Sequence, residues 1–363
     1  MNYRARHSEF TGIWFHEKQG GLKNFWYPFC FEGELKGIHR PLRKVVLGRP
    51  LVLWRTVDGK IRAFTDVCPH RQAPLSEGKV DAKGIRCPYH GWGFDEQGRC
   101  YEIPGVPDSE SACKKISLVK VPVIIGSGMI WIWAGHKPPE GCRDGLISPG
   151  SFNFSNYQVR KRAVFDVSVE DLIENFMDPF HTGVVHTHLI RKESGKNLRK
   201  INISLCQDRV TSEHLPSEEP LGFFSRFINP ENDLVTHIDT FHLPSSVEVS
   251  YQFGESGGKF KAFLAMNPVE EHKTELFLTM GVRFGKADWL LSKGLSLLSN
   301  IILKQDKTIL EKQRWNLCLN PDVYRYSLRT DTQDLYIRRL RHYVRDGKRE
   351  EIRERRIVTE ALL

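Results

Sequence analysis

The chain lacks the features that would place it in a membrane or stiffen it covalently. Its 363 residues hold no apolar run of about 18 or more, so no transmembrane helix is expected. The most apolar stretch, Val121 to Ala134 (VPVIIGSGMIWIWA), is broken by Gly126-Ser127-Gly128 and reads as two strands about a turn. The opening residues MNYRARHSEF carry no apolar segment, so a secretory signal is not expected and a cytoplasmic location is. The eight cysteines (Cys30, Cys68, Cys87, Cys100, Cys113, Cys142, Cys206 and Cys318) are scattered through a chain of ordinary domain size, which argues against a disulfide framework. Internal repeats and low-complexity tracts are missing too, excluding solenoid and fibrous classes. The charge is moderately basic, 53 Lys and Arg against 44 Asp and Glu for a net +9. No nucleic-acid motif accompanies that excess, so an acidic protein partner is expected rather than nucleic acid. The densest basic stretch, Arg338 to Arg356, has acidic residues interleaved and reads as a solvated helix face.

What is present is an ordinary globular composition, 40% apolar and 27% charged, at a length that implies two domains. From Phe25 to Gly135 the pattern is one of short strands. Lys44 to Val57 (KVVLGRPLVLWRTV) leads through an Asp58-Gly59 turn into Ile61 to Phe64, and Leu118 to Ile125 pairs with Gly128 to Trp133. Lys137 to Ser151 is rich in Gly, Pro and charge and reads as a connector. The second half mixes elements. Val169 to about His186 is a helix candidate, Lys200 to Phe284 alternates strands with turns, and Asp288 to Trp315 is a long helix. Its apolar face is marked by Leu290, Leu291, Leu295, Leu298, Ile301, Ile302, Ile309 and Leu310. Asp334 to Arg356 reads as a helical tail broken near Asp346-Gly347. The segment Trp289 to Leu303 is amphipathic; core packing is its first reading and a membrane-surface contact the lesser one. Phe223, Phe224, Phe241 and Phe263 suggest an apolar cavity, although aromatics in a sheet are core by default.

Two clusters carry chemistry. Cys68-Pro69-His70 and Cys87-Pro88-Tyr89-His90 each offer one thiolate and one imidazole, with 16 residues between His70 and Cys87. A single structural zinc and a [2Fe–2S] cluster with cysteines on one iron and histidines on the other both use such a set. Mixed boxes disfavour zinc, whose finger and ribbon sites pair like ligands.

The second cluster is Glu174 to His188 (ENFMDPFHTGVVHTH). Asn175, Asp178 and His181 are spaced by three and would share a helical face. Two imidazoles and one carboxylate, leaving open positions, form the facial triad of non-haem Fe(II) oxygenases. An ideal helix would place His188 rather than His186 with His181, but Pro179 and Gly183 make a regular helix doubtful. The carboxylate must come from elsewhere, with Asp306, Asp331 and Asp334 as candidates. Asn175 is a weak ligand and is expected to line the site.

The string VCPHRQAPLSEGKV…RCPYHGWGFDEQGRC resembles the Rieske signature C-x-H-x15–17-C-x2-H, and its trailing G-W-x-F-D is similar to the Rieske domains of ring-hydroxylating oxygenases. The resemblance implies that Cys68 and Cys87 hold one iron and His70 and His90 the other. Respiratory Rieske proteins carry a further cysteine in each box, forming a disulfide beside the cluster; Ala73 and Tyr89 stand in those places here, which implies the lower-potential oxygenase kind. The second cluster resembles the oxygenase motif D-x2-H-x4-H, selecting His181 and His186. KQDKTILEKQ resembles the x-D-x-x-I-x-x-x-Q segment, selecting Asp306 as third ligand and leaving Asp331 and Asp334 as solvated charges. Asp178 is implied to bridge His90 and His181 across a subunit boundary, carrying electrons.

From about Trp26-Tyr27 to the C-terminal helix the chain is thus similar to α-subunits of Rieske non-haem iron oxygenases, on the monooxygenase and demethylase branch. The implied fold is α+β: an all-β Rieske [2Fe–2S] domain over residues 1–145, then a helix-grip (START/SRPBCC-like) catalytic domain over 146–363, with a curved antiparallel sheet and a long C-terminal helix. The implied reaction uses dioxygen and NAD(P)H electrons, delivered by a ferredoxin or separate reductase, to hydroxylate or oxidatively demethylate an apolar organic substrate at Fe(II), in a homotrimer. The other readings are a cis-dihydroxylating ring dioxygenase, a Rieske electron carrier and a non-catalytic lipid-binding module.

Overall fold

The structure, a computed structural model, describes residues 20–35, 40–135, 154–187, 189–190, 198–217, 229, 233–255, 257–323 and 326–362. The 137–151 connector, Phe223, Phe224 and His188 lie outside the described residues. The chain divides into two compact units, Met1–Leu146 and Ile147–Leu363.

The first unit is made of short strands: β1 (Phe25–Phe31), β2 (Leu42–Val46), β3 (Arg49–Arg55), β4 (Ile61–Thr65), β5 (Lys79–Val80), β6 (Gly84–Arg86), β7 (Gly93–Asp95), β8 (Cys100–Glu102), β9 (Val123–Gly126) and β10 (Met129–Ala134), with one short helix, α1 (Ser109–Cys113). They pair antiparallel as β1-β10-β9, β2-β3-β4 and β5-β6-β7-β8. The Asp58-Gly59 hairpin is present, with Gly59 at φ +83° and Thr56 N–H donating to Lys60 O. The stretch from Lys44 to Val57 is not one strand, however. Leu47 (φ +46°) and Gly48 (φ +72°) turn the chain left-handed and fold it into a second hairpin. The core beneath joins Trp54, stacked on Phe64 at 5.0 Å, to Leu75, Ile85, Phe94 and the sulfurs of Cys68 and Cys87.

The second unit is one eight-stranded antiparallel sheet with helices against it. Its elements are β11 (Val159–Phe165), α2 (Val169–Met177), β12 (Leu198–Leu205), β13 (Arg209–Ser217), β14 (Val235–His242), β15 (Ser246–Phe253), β16 (Lys259–Glu270), β17 (Lys273–Arg283), α3 (Asp288–Leu319), α4 (Thr332–Arg345) and β18 (Arg355–Leu362). The strand order is β11-β17-β16-β15-β14-β13-β12-β18. Strand β14 buries every second residue, as a half-covered strand should, whereas β17 is buried along most of its length. Helix α2 packs on β14 to β17, α3 on β11 and β17, and α4 on β12 and β13.

Further expectations are corrected. Helix α2 starts where expected, with Ser168 Oγ accepting from Asp171 N–H and acidic residues in its first turn. It stops at Met177 rather than near His186, because Asp178 precedes Pro179 and the proline ring disfavours helical backbone there; Asp178 sits at φ −87°, ψ 110°. The C-terminal tail is helical only to Arg345, and Arg355–Leu362 pairs with β12 as an edge strand. Its β-branched run Ile357-Val358-Thr359 was the available signal. Asp334 is buried and paired with Arg338 at 2.6 Å instead of being solvated. Helix α3 also departs from a single apolar face: Leu290, Leu297 and Ile301 are exposed while Leu291, Leu295 and Leu298 point inward. Among the described residues, no helix is long and apolar enough to cross a membrane.

The hairpin of β6 and β7, which carries the second cysteine–histidine box, depends on Gly84. Its φ is +151°, and a Cβ there would lie 2.0 Å from Phe94 O. Gly84→Ala is expected to cost about 2 kcal/mol or more, read as a lower midpoint in denaturant titration; an unchanged midpoint would show that the hairpin adapts.

Candidate functional site

In the first unit, the two boxes fold into matching turns. Cys68 N–H donates to Ala73 O and Cys87 N–H to Trp92 O, both at 2.9 Å, and Gln72 N–H and Gly91 N–H return to the Cys68 and Cys87 carbonyls. In both turns the fifth residue is left-handed, Gln72 at φ +59° and Gly91 at φ +72°. One turn leaves β4 and the other joins β6 to β7. The sulfurs of Cys68 and Cys87 are buried, whereas His70 is half-buried and His90 exposed. The imidazole centroids are 4.5 Å apart, and His70 stacks on Trp92 at 4.5 Å. Burial and the neighbouring Cys87 push the Cys68 thiol up to about 11, so it ionises at neutral pH only for a cation. Burial holds the His70 pKa down, and its Nδ1 is a buried atom with no hydrogen-bond partner.

A single zinc would draw its four donor atoms to roughly 3.3–3.8 Å of one another, from bond lengths of about 2.0–2.3 Å. The groups of three or more donors that converge within 4.8 Å, among the described residues, are His181-His186-Asp306 and His214-His237-Asp239; the cysteine–histidine set is not among them. Buried sulfurs on one side and imidazoles on the other suit a group with two metals.

In the second unit, the early stop of α2 brings His181 round to meet α3. His181 opens a short 3-10 turn, His181–Gly183, and Asp178 caps it: its carboxylate accepts from Phe180 N–H at 2.7 Å and His181 N–H at 3.3 Å. His186 is buried, and Asp306 lies mid-way along α3 with its side chain 1% exposed. His186 Nε2 is 3.0 Å and His181 Nε2 3.6 Å from Asp306 Oδ1. The far nitrogen of each ring is held: His181 Nδ1 donates to the Asp178 carbonyl at 2.5 Å and His186 Nδ1 to Gln305 Oε1 at 2.9 Å. Each Nδ1 therefore carries a proton, and in the neutral ring the Nε2 lone pair faces the carboxylate. At His186 burial is outweighed by Asp306, which raises the ring's pKa and sets a proton in competition with a metal ion for the space between them. Burial holds the His181 pKa down, keeping that ring neutral. His186 Nε2 and Asp306 Oδ1 are buried atoms without hydrogen-bond partners. With the His186 ring neutral the two are acceptors face to face in a buried place, and a metal ion fits between them.

The three residues open onto a cavity of about 270 Å³ lined mainly by apolar side chains, among them Phe176, Phe253, Phe260, Met280, Leu295 and Ile302. Phe241 and Phe263, expected in its wall, are core instead. Asn175 does not line this cavity. It faces a smaller acidic one with Asp171, Glu174, Asp331 and Asp334, and Asp178 borders both.

Two features escaped the sequence reading. Gln305, the neighbour of Asp306, had no separate signal. His237 and Asp239 form a polar patch in the cavity wall, legible only as alternate residues of one strand. His214, His237 and Tyr251 are cross-strand neighbours stacked at 4.5 and 4.1 Å, and His237 Nε2 donates to Asp239 at 2.9 Å. The two imidazole planes are only 15° apart, so their in-plane lone pairs do not converge on one ion.

Residues 25–121 match the family model for the Rieske [2Fe-2S] domain, and residues 165–347 match that for the vanillate O-demethylase oxygenase C-terminal domain. The chain is similar to chlorophyllide a oxygenase of Arabidopsis thaliana, with 34% identity over 47% of this chain and 30% of that protein. It is also similar to the oxygenase component of dicamba O-demethylase from Stenotrophomonas maltophilia, 33% identical over 58% of this chain and 61% of that one. The chain thus spans less than two thirds of these curated relatives. The crystal structure of dicamba monooxygenase bound to dicamba shares the fold, with a TM-score of 0.76, 22% identity, and coverage of 90% of this chain and 98% of that one.

Gln305→Leu removes the acceptor that orients His186. Divalent-metal affinity is expected to fall about 10–100-fold by chelator competition, with unchanged far-UV circular dichroism; undiminished affinity would mean that the amide does not hold the ring.

Proposed function

The chain belongs to the Rieske oxygenases whose second half is a vanillate O-demethylase oxygenase C-terminal domain, and we propose that it hydroxylates or oxidatively demethylates an apolar organic molecule held in the cavity of its second unit. The observation that carries this reading is the buried face-to-face pair of His186 Nε2 and Asp306 Oδ1, opening on an apolar cavity. In this reading Cys68, Cys87, His70 and His90 hold a [2Fe–2S] cluster, and His181, His186 and Asp306 hold Fe(II). When bound, the cluster supplies electrons one at a time and the iron supplies dioxygen activation at its open positions.

The chain's own residues do the rest. The Asp178 carbonyl and Gln305 keep both imidazoles in the tautomer that offers Nε2. Asp306 balances cationic charge where water is scarce. Phe253, Phe260 and the inward leucines of α3 exclude water and hold an apolar body. His237 and Asp239 would orient a hydrogen-bonding group on that body. Asp178, in contact with His181, is the residue we assign to the relay between the two metal centres. A ferredoxin or reductase fed by NAD(P)H and a homotrimeric assembly belong to the same reading.

Asp306→Ala is expected to abolish turnover while the visible spectrum of the cluster persists. Asp178→Asn should lower turnover about 10–100-fold with both metals retained; full activity in either variant contradicts the assignment. With isotopically labelled dioxygen and a panel of aromatic and N- or O-methyl substrates, one labelled oxygen per hydroxylated product, or one equivalent of formaldehyde per demethylation, is expected; two labelled oxygens in one product would mean dihydroxylation.

A further inference from the structure

A second pair of cysteines lies in the core that holds Cys68 and Cys87. The sulfurs of Cys100, on β8, and Cys113, at the end of α1, are 3.0 Å apart. That is inside the roughly 3.5–4.0 Å at which non-bonded heavy atoms rest and about 1 Å beyond a disulfide bond. The approach is set by the backbone. Cys100 N–H donates to Ile116 O, Ile116 N–H to Cys113 O and Leu118 N–H to Gly98 O, and Arg99 pairs with Ser117. The two segments thus run antiparallel and carry the thiols toward each other.

The chemistry of this pair differs from that of the other two cysteines. Cys68 and Cys87 come with histidines two and three residues on. The polar contacts of Cys100 and Cys113, besides each other, are the Glu102 carbonyl at 3.7 Å and the Ser109 hydroxyl at 3.9 Å, neither a metal ligand of comparable strength. Burial and Cys113 push the Cys100 thiol up to about 12, and Cys68 is close enough to add to that shift. A buried, uncharged thiol is a poor nucleophile, so exchange must await local opening and is slow.

We propose that Cys100 and Cys113 are a modification site: a dithiol that a small-molecule disulfide, such as oxidised glutathione, converts to an intrachain disulfide tying β8 to α1. One cysteine thiolate attacks the small disulfide, forming a mixed disulfide and releasing one glutathione thiolate. The second cysteine then displaces the other glutathione. Two protein thiols lose two electrons and two protons, one S–S bond forms, and two glutathione thiols result. The inference rests on the thiol geometry alone and stands apart from the oxygenase reading.

Trypsin cuts after Arg99 and Lys114, so one peptide, residues 100–114, holds both cysteines. The full-length, metal-loaded protein is incubated for hours with oxidised glutathione or with dithiothreitol, denatured, alkylated with iodoacetamide, digested and weighed. After oxidation the peptide is expected to be about 2 Da lighter than the dithiol and unalkylated; after dithiothreitol it should carry two alkyl groups. The oxidised protein should melt about 5 °C higher than the reduced one, and Cys113→Ser and Cys100→Ser should lose that difference. A doubly alkylated peptide after oxidation, a stable glutathione adduct in place of the internal bond, or melting points that do not respond to oxidation would each overturn the proposal. Should both serine variants fail to fold, the peptide mass of the unaltered protein still decides.

Discussion

Two electron-rich atoms, an imidazole nitrogen and a carboxylate oxygen, are held 3.0 Å apart where water scarcely reaches. With the ring neutral they repel, so a proton or a metal ion is drawn between them, and burying a carboxylate without a counter-charge costs several kcal/mol, roughly 3–5 when one member of a pair is removed. Much of the second unit serves to keep them there. The proline after Asp178 ends α2 at Met177, which lets His181 swing round toward α3 instead of continuing a helical face. The freed Asp178 then caps the new turn through two backbone N–H groups and fixes the His181 ring through its carbonyl. The sheet contributes the apolar wall, which strengthens every charge interaction it surrounds.

The first unit solves the opposite problem. There the donors must be split, sulfurs inward and imidazoles outward, and two turns with the same backbone hydrogen bonds achieve it. Matching left-handed residues, one a glutamine and one a glycine, show that the turn geometry is imposed by its closing hydrogen bonds rather than by glycine alone. The thiols sit in the core with Trp54, Phe64 and Phe94, so the sulfur side is shielded and the histidine side faces solvent.

Spacing made the cysteine–histidine boxes, the long helix and the β-rich halves readable, since each rests on local pattern. The resemblance, not the geometry of a helix, singled out His186, Asp306 and their grouping with His181. The helical-face reading of Asn175, Asp178 and His181 failed because one proline outweighs a spacing of three; Asn175 ends in a different cavity. The edge strand β18 was hidden because charged residues dominate its neighbourhood. Gln305 and the His237–Asp239 patch were invisible for another reason: their roles arise from partners far off in the chain, His186 for the first and His214 and Tyr251 for the second.

Gln305 and Asp306 are consecutive residues of one helix, yet they flank the two nitrogens of a single ring, one on each side. Leu295, Leu298 and Ile302 of the same helix line the cavity. A molecule held in that cavity would lie against the same helix that flanks the imidazole. A shift of α3 by one residue's rise, about 1.5 Å, would displace both contacts together. The wall of the pocket and the hold on the metal-facing ring are therefore one and the same piece of backbone.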